Sequence, residues 1–240
     1  HLLKEVGLKH GLRVVCMAKP LARVAGSSMH IHQSVVAVDS GLNVFSDACD
    51  QPTDAFRHFI GGQQAAMADF TALLAPNVNS CQPYASPNNA CWSYDNRAAG
   101  LRIPASVASA RRVENRLPGA DANPYLAIAA SLAAGLHGIE QRLEPSPPMQ
   151  GDLAVPDELS LPCTLHAALE RLKRSLLARE LFGDVFIEGY IATKTLELAS
   201  FFDEITPTGG PGLILQQLDA GDAPLPQRSA EVAGGPSPVT

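Results

Sequence analysis

The chain has 240 residues, 46% of them hydrophobic and 18% charged, with a formal net charge of −6. That length suits one large domain, or one domain with a tail, and the hydrophobic share can fill a core. An acidic balance with no basic run argues against a nucleic-acid partner. The longest strongly apolar run, residues 126–136, is about half of the roughly 20 residues a membrane helix needs, which argues against a membrane.

In chain order, Leu2, Leu3, Val6 and Leu8 form an apolar stripe at helical spacing, with Gly11 as the C-cap. Residues 13–18 read as a β-rich run before the loop at Pro20. Gly26-Ser27-Ser28 reads as a small-residue turn running straight into an alternating segment, which predicts a strand as far as Val38. It sends Met29, Ile31 and Gln33 to one face and His30, His32 and Ser34 to the other. Two imidazoles and a hydroxyl, about 7 Å apart at each step of two residues, suit a metal or a phosphate. The same H-x-H spacing also occurs on ordinary half-exposed strands, so both readings stay open at this point.

Asp39-Ser40-Gly41 reads as a turn, with residues 43–45 returning as a brief strand. Thr53 is the predicted N-cap of a helix whose Phe56, Phe59, Ile60, Met67, Phe70 and Leu74 recur at helical spacing up to Pro76. Those aromatics read as core, and His58, off the stripe, as a solvated histidine. Residues 76–91 form a loop rich in Asn, Pro and Ser. Strands are predicted at about 88–94 and 98–104, and a third carries Arg112, Glu114 and Arg116 on one face, Val113, Asn115 and Leu117 on the other.

A carboxylate between two guanidiniums is costly to bury without partners. It could ligate a metal between two anion-binding arms, or it could belong to a surface charge ladder of little energetic weight. Asp95-Asn96-Arg97 and Gly100-Leu101-Arg102-Ile103-Pro104 add two more arginines nearby. Asn123 and Pro124 open a helix to about Leu143, apolar almost all round and therefore expected to be buried. Residues 144–162, with five prolines, connect it to a leucine-rich helix over 165–181. Gly183 ends that helix, and residues 184–202 form another amphipathic one. Residues 1–205 thus read as one domain and 206–240 as a mobile Pro/Gly-rich tail. The five cysteines at 16, 49, 81, 91 and 163 form no Cys-x-x-Cys pair and read as reduced thiols of a cytoplasmic protein.

Several of these stretches together resemble the glutamine synthetase family. Lys19-Pro20-Leu21 followed by Gly26-Ser27-Ser28-Met29-His30-Ile31-His32-Gln33-Ser34 is similar to the family's ATP-site signature. Asn79-Ser80, Trp92-Ser93-Tyr94-Asp95-Asn96-Arg97, Arg111-Arg112-Val113-Glu114-Asn115-Arg116 and Ala122-Asn123-Pro124-Tyr125-Leu126 follow in the family's order. The wording from Asn115 through Pro118-Gly119-Ala120-Asp121 to Tyr125 is closest to the γ-glutamylpolyamine (γ-glutamylputrescine) synthetase branch. The match runs over about residues 1–203.

The resemblance implies an α+β fold, in which an antiparallel curved sheet (part of a catalytic half-barrel) is backed by long helices. It implies an ATP-dependent ligase that phosphorylates the glutamate γ-carboxylate and lets ammonia or a polyamine displace the phosphate. Residue by residue, His30 and Glu114 would ligate Mg²⁺ or Mn²⁺, and His32, Ser34 and Arg112 would lie against ATP. Gly26 and Arg116 would hold glutamate, while Arg97 and Arg102 would stabilise the transferring phosphoryl group. A homo-oligomer is implied for the full-length member. The chain opens on His1 inside a helical pattern, so it is expected to be the C-terminal part of the catalytic domain, inactive alone.

Three departures from the family pattern stand out. Ala25 and Ser28 replace an asparagine and a glycine. The segment between Pro104 and Arg111 is short and lacks the usual lysine. The flap over residues 76–91 is also short, with Ala85 where glutamine synthetases proper carry a glutamate. Two readings compete with the ligase: a degenerate, non-catalytic homologue acting as an assembly or binding module, and an unrelated metal-dependent hydrolase using His30, His32 and Glu114.

Overall fold

A computed structural model describes residues 2–21, 24–80, 87–151 and 155–203. In chain order these form α1 (Leu2–Lys9), β1 (Ile31–Gln33), α2 (Asp54–Ala66), α3 (Thr71–Leu74), β2 (Trp92–Tyr94), β3 (Leu101–Ile103) and β4 (Val113–Asn115). Then come α4 (Pro124–Gln141), α5 (Leu165–Arg174), α6 (Leu176–Phe182) and α7 (Asp184–Asp203). The fold class is α+β, with one open sheet in the order β1-β4-β3-β2. No described helix is long and apolar enough to cross a membrane. The tail from residue 206 and Ala85 of the flap lie outside the described residues.

Local chemistry sets the helix starts where the sequence puts them. Thr53 Oγ1 accepts from Phe56 N at 3.2 Å and caps α2. Asn123 Oδ1 accepts from Tyr125 N at 3.0 Å and Leu126 N at 3.4 Å, with Pro124 in the first turn of α4. Behind the sheet, α2 and α4 cross at contact distance on glycines. A Cβ on Gly62 would lie 2.2 Å from Ala134 O and 2.5 Å from Gly138 Cα, so neither helix leaves room for a side chain. Phe45, Phe56 and Phe59 pack tilted, at centroid separations of 5.3 and 5.1 Å, and Phe70 is buried with them.

The sheet is shorter and less regular than the alternation predicts. The strand expected over about 29–38 is regular only at 31–33, with single bridges Ser28–Gly119 and Val36–Asn43 on either side of it. β1–β4 and β3–β4 are antiparallel, whereas β2 and β3 are parallel. Parallel neighbours usually need a crossover of a dozen or more residues, and here residues 95–100 suffice. Asp95 turns the chain at φ 50°, Asn96 Oδ1 accepts from Ala98 N, and Asn89 Oδ1 accepts from Gly100 N at 3.1 Å. A Cβ at Gly100 would lie 2.0 Å from Asn89 O, so the loop closes only on glycine.

Other expectations give way to tertiary context. Residues 13–18 form no strand; no described strand runs beside them, and Ala18 O instead accepts from Ser27 N. The stripe of α1 forms, but Leu2, Leu3 and Leu8 are exposed. Helix α4 buries one face, through Ala127, Ala130, Ser131, Ala134, Gly135 and Gly138, and leaves Tyr125, Ile128 and Leu136 exposed. The helix predicted over 165–181 breaks at Ser175, whose hydroxyl caps α6 by accepting from Ala178 N at 3.1 Å. His58 is not simply solvated: its Nε2 lies 3.0 Å from Glu144 Oε1.

Candidate active site

Period-two geometry and antiparallel register together put chemistry on one face of the sheet. His32 pairs with Glu114, Glu114 with Arg102, and Arg102 with Ser93, so these four residues form a row across all four strands. His30 lies one step along β1's direction from His32, and Arg112 and Arg116 flank Glu114 on β4. The opposite face carries Ile31, Val113, Leu101 and Ile103 into the core.

Glu114 is the centre of this face, and at 2% exposure it is no member of a surface ladder. Its Oε1 accepts from Arg116 Nη1 at 2.7 Å and lies 3.0 Å from His30 Nδ1. Its Oε2 accepts from Arg102 Nη1 at 2.7 Å, and the other arm of Arg102 pairs with Asp95. Arg116 Nη1 is 3.4 Å from His30 Nδ1, and Arg112 Nε donates to His32 Nδ1 at 3.2 Å. Three guanidiniums thus face two carboxylates, a local positive excess on an acidic protein. Such a face favours an anionic ligand.

The titratable groups follow this arrangement. Burial pushes the Glu114 carboxyl up, but the hydrogen bonds and charges of Arg102 and Arg116 outweigh it and hold the group below its ordinary value. Burial and the Arg116 charge lower His30, against the opposing pull of Glu114. His30 is therefore held toward the neutral imidazole. The tautomer that donates from Nδ1 to Glu114 leaves its Nε2 lone pair free. With Arg112 donating to Nδ1 of His32, that ring's N–H is at Nε2 and can donate a hydrogen bond to an acceptor. Among the described residues the buried Nε–H groups of Arg102 and Arg116 have no partner.

Of the sequence-predicted site residues, the structure brings together His30, His32, Arg102, Arg112, Glu114 and Arg116. Ser34 is exposed, just beyond β1 on the alternation's imidazole side. Gly26 is half-buried in the stretch held against residues 118–120 by Met29 N→Pro118 O and Ala120 N→Ser27 O. Arg97 is exposed in the β2–β3 loop and takes no part in the bonded cluster. Asp95, second carboxylate partner of Arg102, stood in the sequence within the Trp92–Arg97 stretch with no role assigned to it. Its partnership depends on the parallel β2–β3 pairing, which has no sequence signal.

As donors for a divalent cation, His30 and Glu114 have the right chemistry but make only a partial set. Among the described residues no group of three or more His, Cys, Asp or Glu side chains could hold a metal ion. Both oxygens of Glu114 are also engaged by guanidiniums.

Comparison with known proteins agrees with the residues. Residues 1–209 match the family model described as glutamine synthetase, catalytic domain. The chain is 39% identical to the gamma-glutamylethanolamide synthetase GlnA4 of Streptomyces coelicolor, covering 85% of this chain and 44% of that protein. It is 39% identical to a glutamate–isopropylamine ligase of a Pseudomonas species, covering 82% of this chain and 44% of the other. The gamma-glutamylputrescine synthetase PuuA of Escherichia coli is 36% identical over 86% of this chain and 44% of its own length. Among solved structures, apo GmaS without ligand superimposes with a TM-score of 0.76 at 31% identity, covering 87% of this chain and 49% of that one. The chain therefore spans a little under half the length of the curated relatives it matches.

Proposed function

Because the chain belongs to the glutamine synthetase family, we propose that it forms part of an ATP-dependent ligase joining the glutamate γ-carboxylate to an amine through γ-glutamyl phosphate. The observation that carries this reading is the buried Glu114 held between Arg102 and Arg116, with neutral His30 beside it on the same face. In this reading His30 and Glu114 supply two donors for Mg²⁺ or Mn²⁺, and further donors come from outside the described residues. The cation, when bound, neutralises charge on the nucleotide phosphates.

The remaining roles fall to side chains and backbone of this chain. His32 donates a hydrogen bond from Nε2 to the nucleotide, with Ser34 and Arg112 alongside. Gly26 offers backbone to glutamate, and Arg116 binds its carboxylate. Arg102 and Arg97 stabilise the charge on the transferring phosphoryl group. Preorganised guanidiniums aimed at developing charge typically contribute on the order of 10²–10³ in rate.

The acceptor favoured is an organic primary amine over ammonia. Ammonium must lose a proton before it attacks, and a carboxylate beside the acyl phosphate both binds the cation and helps remove that proton. Ala85 does neither, and relatives named for ethanolamide, isopropylamine and putrescine products or substrates fit the same choice. The test is phosphate release by the full-length protein with ATP and glutamate against ethanolamine, isopropylamine, putrescine and ammonia. Release with an organic amine above that with ammonia is expected. Equal or better turnover with ammonia would remove the acceptor assignment, and no glutamate-dependent release with any amine would favour the non-catalytic binding module.

A further inference from the structure

The sheet face opposite the imidazoles should by alternation be wholly apolar, and Ile31, Val113 and Leu101 are. Two positions break the pattern: Gln33 on β1 and Asn115 on β4, 9% and 2% exposed. They are joined through the helices behind. Asn115 Nδ2 donates to Ser131 Oγ of α4 at 3.0 Å, and Ser131 Oγ donates to Gln33 Oε1 at 2.8 Å. Gln63 Nε2 of α2 donates to the same Gln33 oxygen at 2.7 Å. Asn115 Oδ1 in turn accepts from Leu117 N at 3.1 Å. Donation runs one way from Asn115 through Ser131 to Gln33, with the serine hydroxyl used once as acceptor and once as donor.

Burying four polar side chains is unfavourable unless their bonds are made, Gln63 Oε1 has no partner among the described residues, and apolar residues of the same shape would serve stability as well. What a directional chain adds is register. β1 and β4 share only three residue pairs, and a slip of one residue sends every side chain to the other face. Apolar contact is non-directional and tolerates small shifts. Here Gln33 adjoins His32 in sequence, and Asn115 lies between Glu114 and Arg116.

We propose that Gln33, Asn115, Ser131 and Gln63 are positioning residues: the network fixes β1 against β4 and so holds His30 at bonding distance from Glu114 on the far face. The proposal rests on the reading of that face as the active site. Ser131 is its hub, because loss of one oxygen breaks both links that join β4 to β1 through α4, leaves only the Gln63–Gln33 bond from α2, and removes almost no volume.

The experiment compares Ser131→Ala, Ser131→Thr and Leu172→Val in the full-length protein, reading Mn²⁺ affinity by electron paramagnetic resonance and Tm by calorimetry. Leu172 is a buried core residue of α5 and serves as a purely structural control. Outer-shell substitutions typically weaken metal affinity by about 10–100-fold. Ser131→Ala is expected to weaken Mn²⁺ by about tenfold, Ser131→Thr to restore it, and Leu172→Val to lower Tm with affinity unchanged. Wild-type affinity in Ser131→Ala, or an equal loss in Leu172→Val, would overturn the proposal. If the wild type binds no Mn²⁺, the metal reading falls, and a crystal structure of Ser131→Ala decides the positioning by itself. A His30–Glu114 contact opened from 3.0 Å supports it, and an unchanged contact overturns it.

Discussion

Replacing Glu114 by glutamine would leave Arg102 and Arg116 facing one another across a neutral amide, at a position with 2% exposure. Removing one partner of a buried ion pair costs on the order of 3–5 kcal/mol, since the remaining charge keeps its desolvation penalty. We expect Glu114→Gln to destabilise by about 3 kcal/mol in chemical denaturation; a loss below about 1 kcal/mol would show that solvent already screens the cluster. The lowered pKa values of His30 and Glu114 act with one sign. Each group is protonated more readily in the unfolded chain, so acid favours unfolding. His30 contributes as pH falls below the ordinary histidine value of 6.5, and Glu114 below the ordinary glutamate value of 4.5. His30→Gln should therefore flatten the fall in Tm between about pH 7 and about pH 5, and an unchanged profile would contradict this.

At the scale of elements, the crossing of α2 and α4 sets how closely the helices approach the back of the sheet. Gly62→Ala would drive a Cβ into the backbone of Ala134 and Gly138. Overpacking of this kind costs about 1–3 kcal/mol. Gly189 of α7 has nothing within 4 Å of a Cβ position, so Gly189→Ala should stabilise by about 0.5–1 kcal/mol through helix propensity alone. Thermal unfolding of both variants checks the pair: a raised Tm in Gly62→Ala would mean that α2 and α4 do not meet as described, and a lowered Tm in Gly189→Ala that its Cβ does meet a neighbour. These elements also mark what the sequence disclosed. The caps at Thr53 and Asn123 were legible because a side chain bonds its own next turn, and the H-x-H and R-x-E-x-R alternations because a strand has period two. The parallel β2–β3 pairing was not, since it depends on a loop closed by Asn89 and Gly100 from outside the strands. Burial of only one face of α4 was likewise invisible, because composition reports apolarity and not which surface meets a neighbour.

For the whole molecule, the family and the cluster on the sheet face point to the same chemistry, and the chain spans about 44% of relatives that bear ligase or synthetase names. With His30 and Glu114 forming only a pair of metal donors, and no group of three or more among the described residues, the 240 residues by themselves are expected to show no glutamate-dependent phosphate release. Clear release from the purified chain would contradict that. Transfer of the phosphoryl group at the row containing His32, Glu114 and Arg102 is the proposal on which the ligase reading stands. It is tested most directly by amine-dependent phosphate release from full-length Arg102→Lys, with Arg171→Ala, whose partner Asp69 lies elsewhere, as control. Lysine keeps the charge but loses the planar fork that reaches Glu114 and Asp95 together. The account predicts a fall in kcat on the order of 10²–10³ for Arg102→Lys and wild-type turnover for Arg171→Ala; equal turnover in both would contradict it.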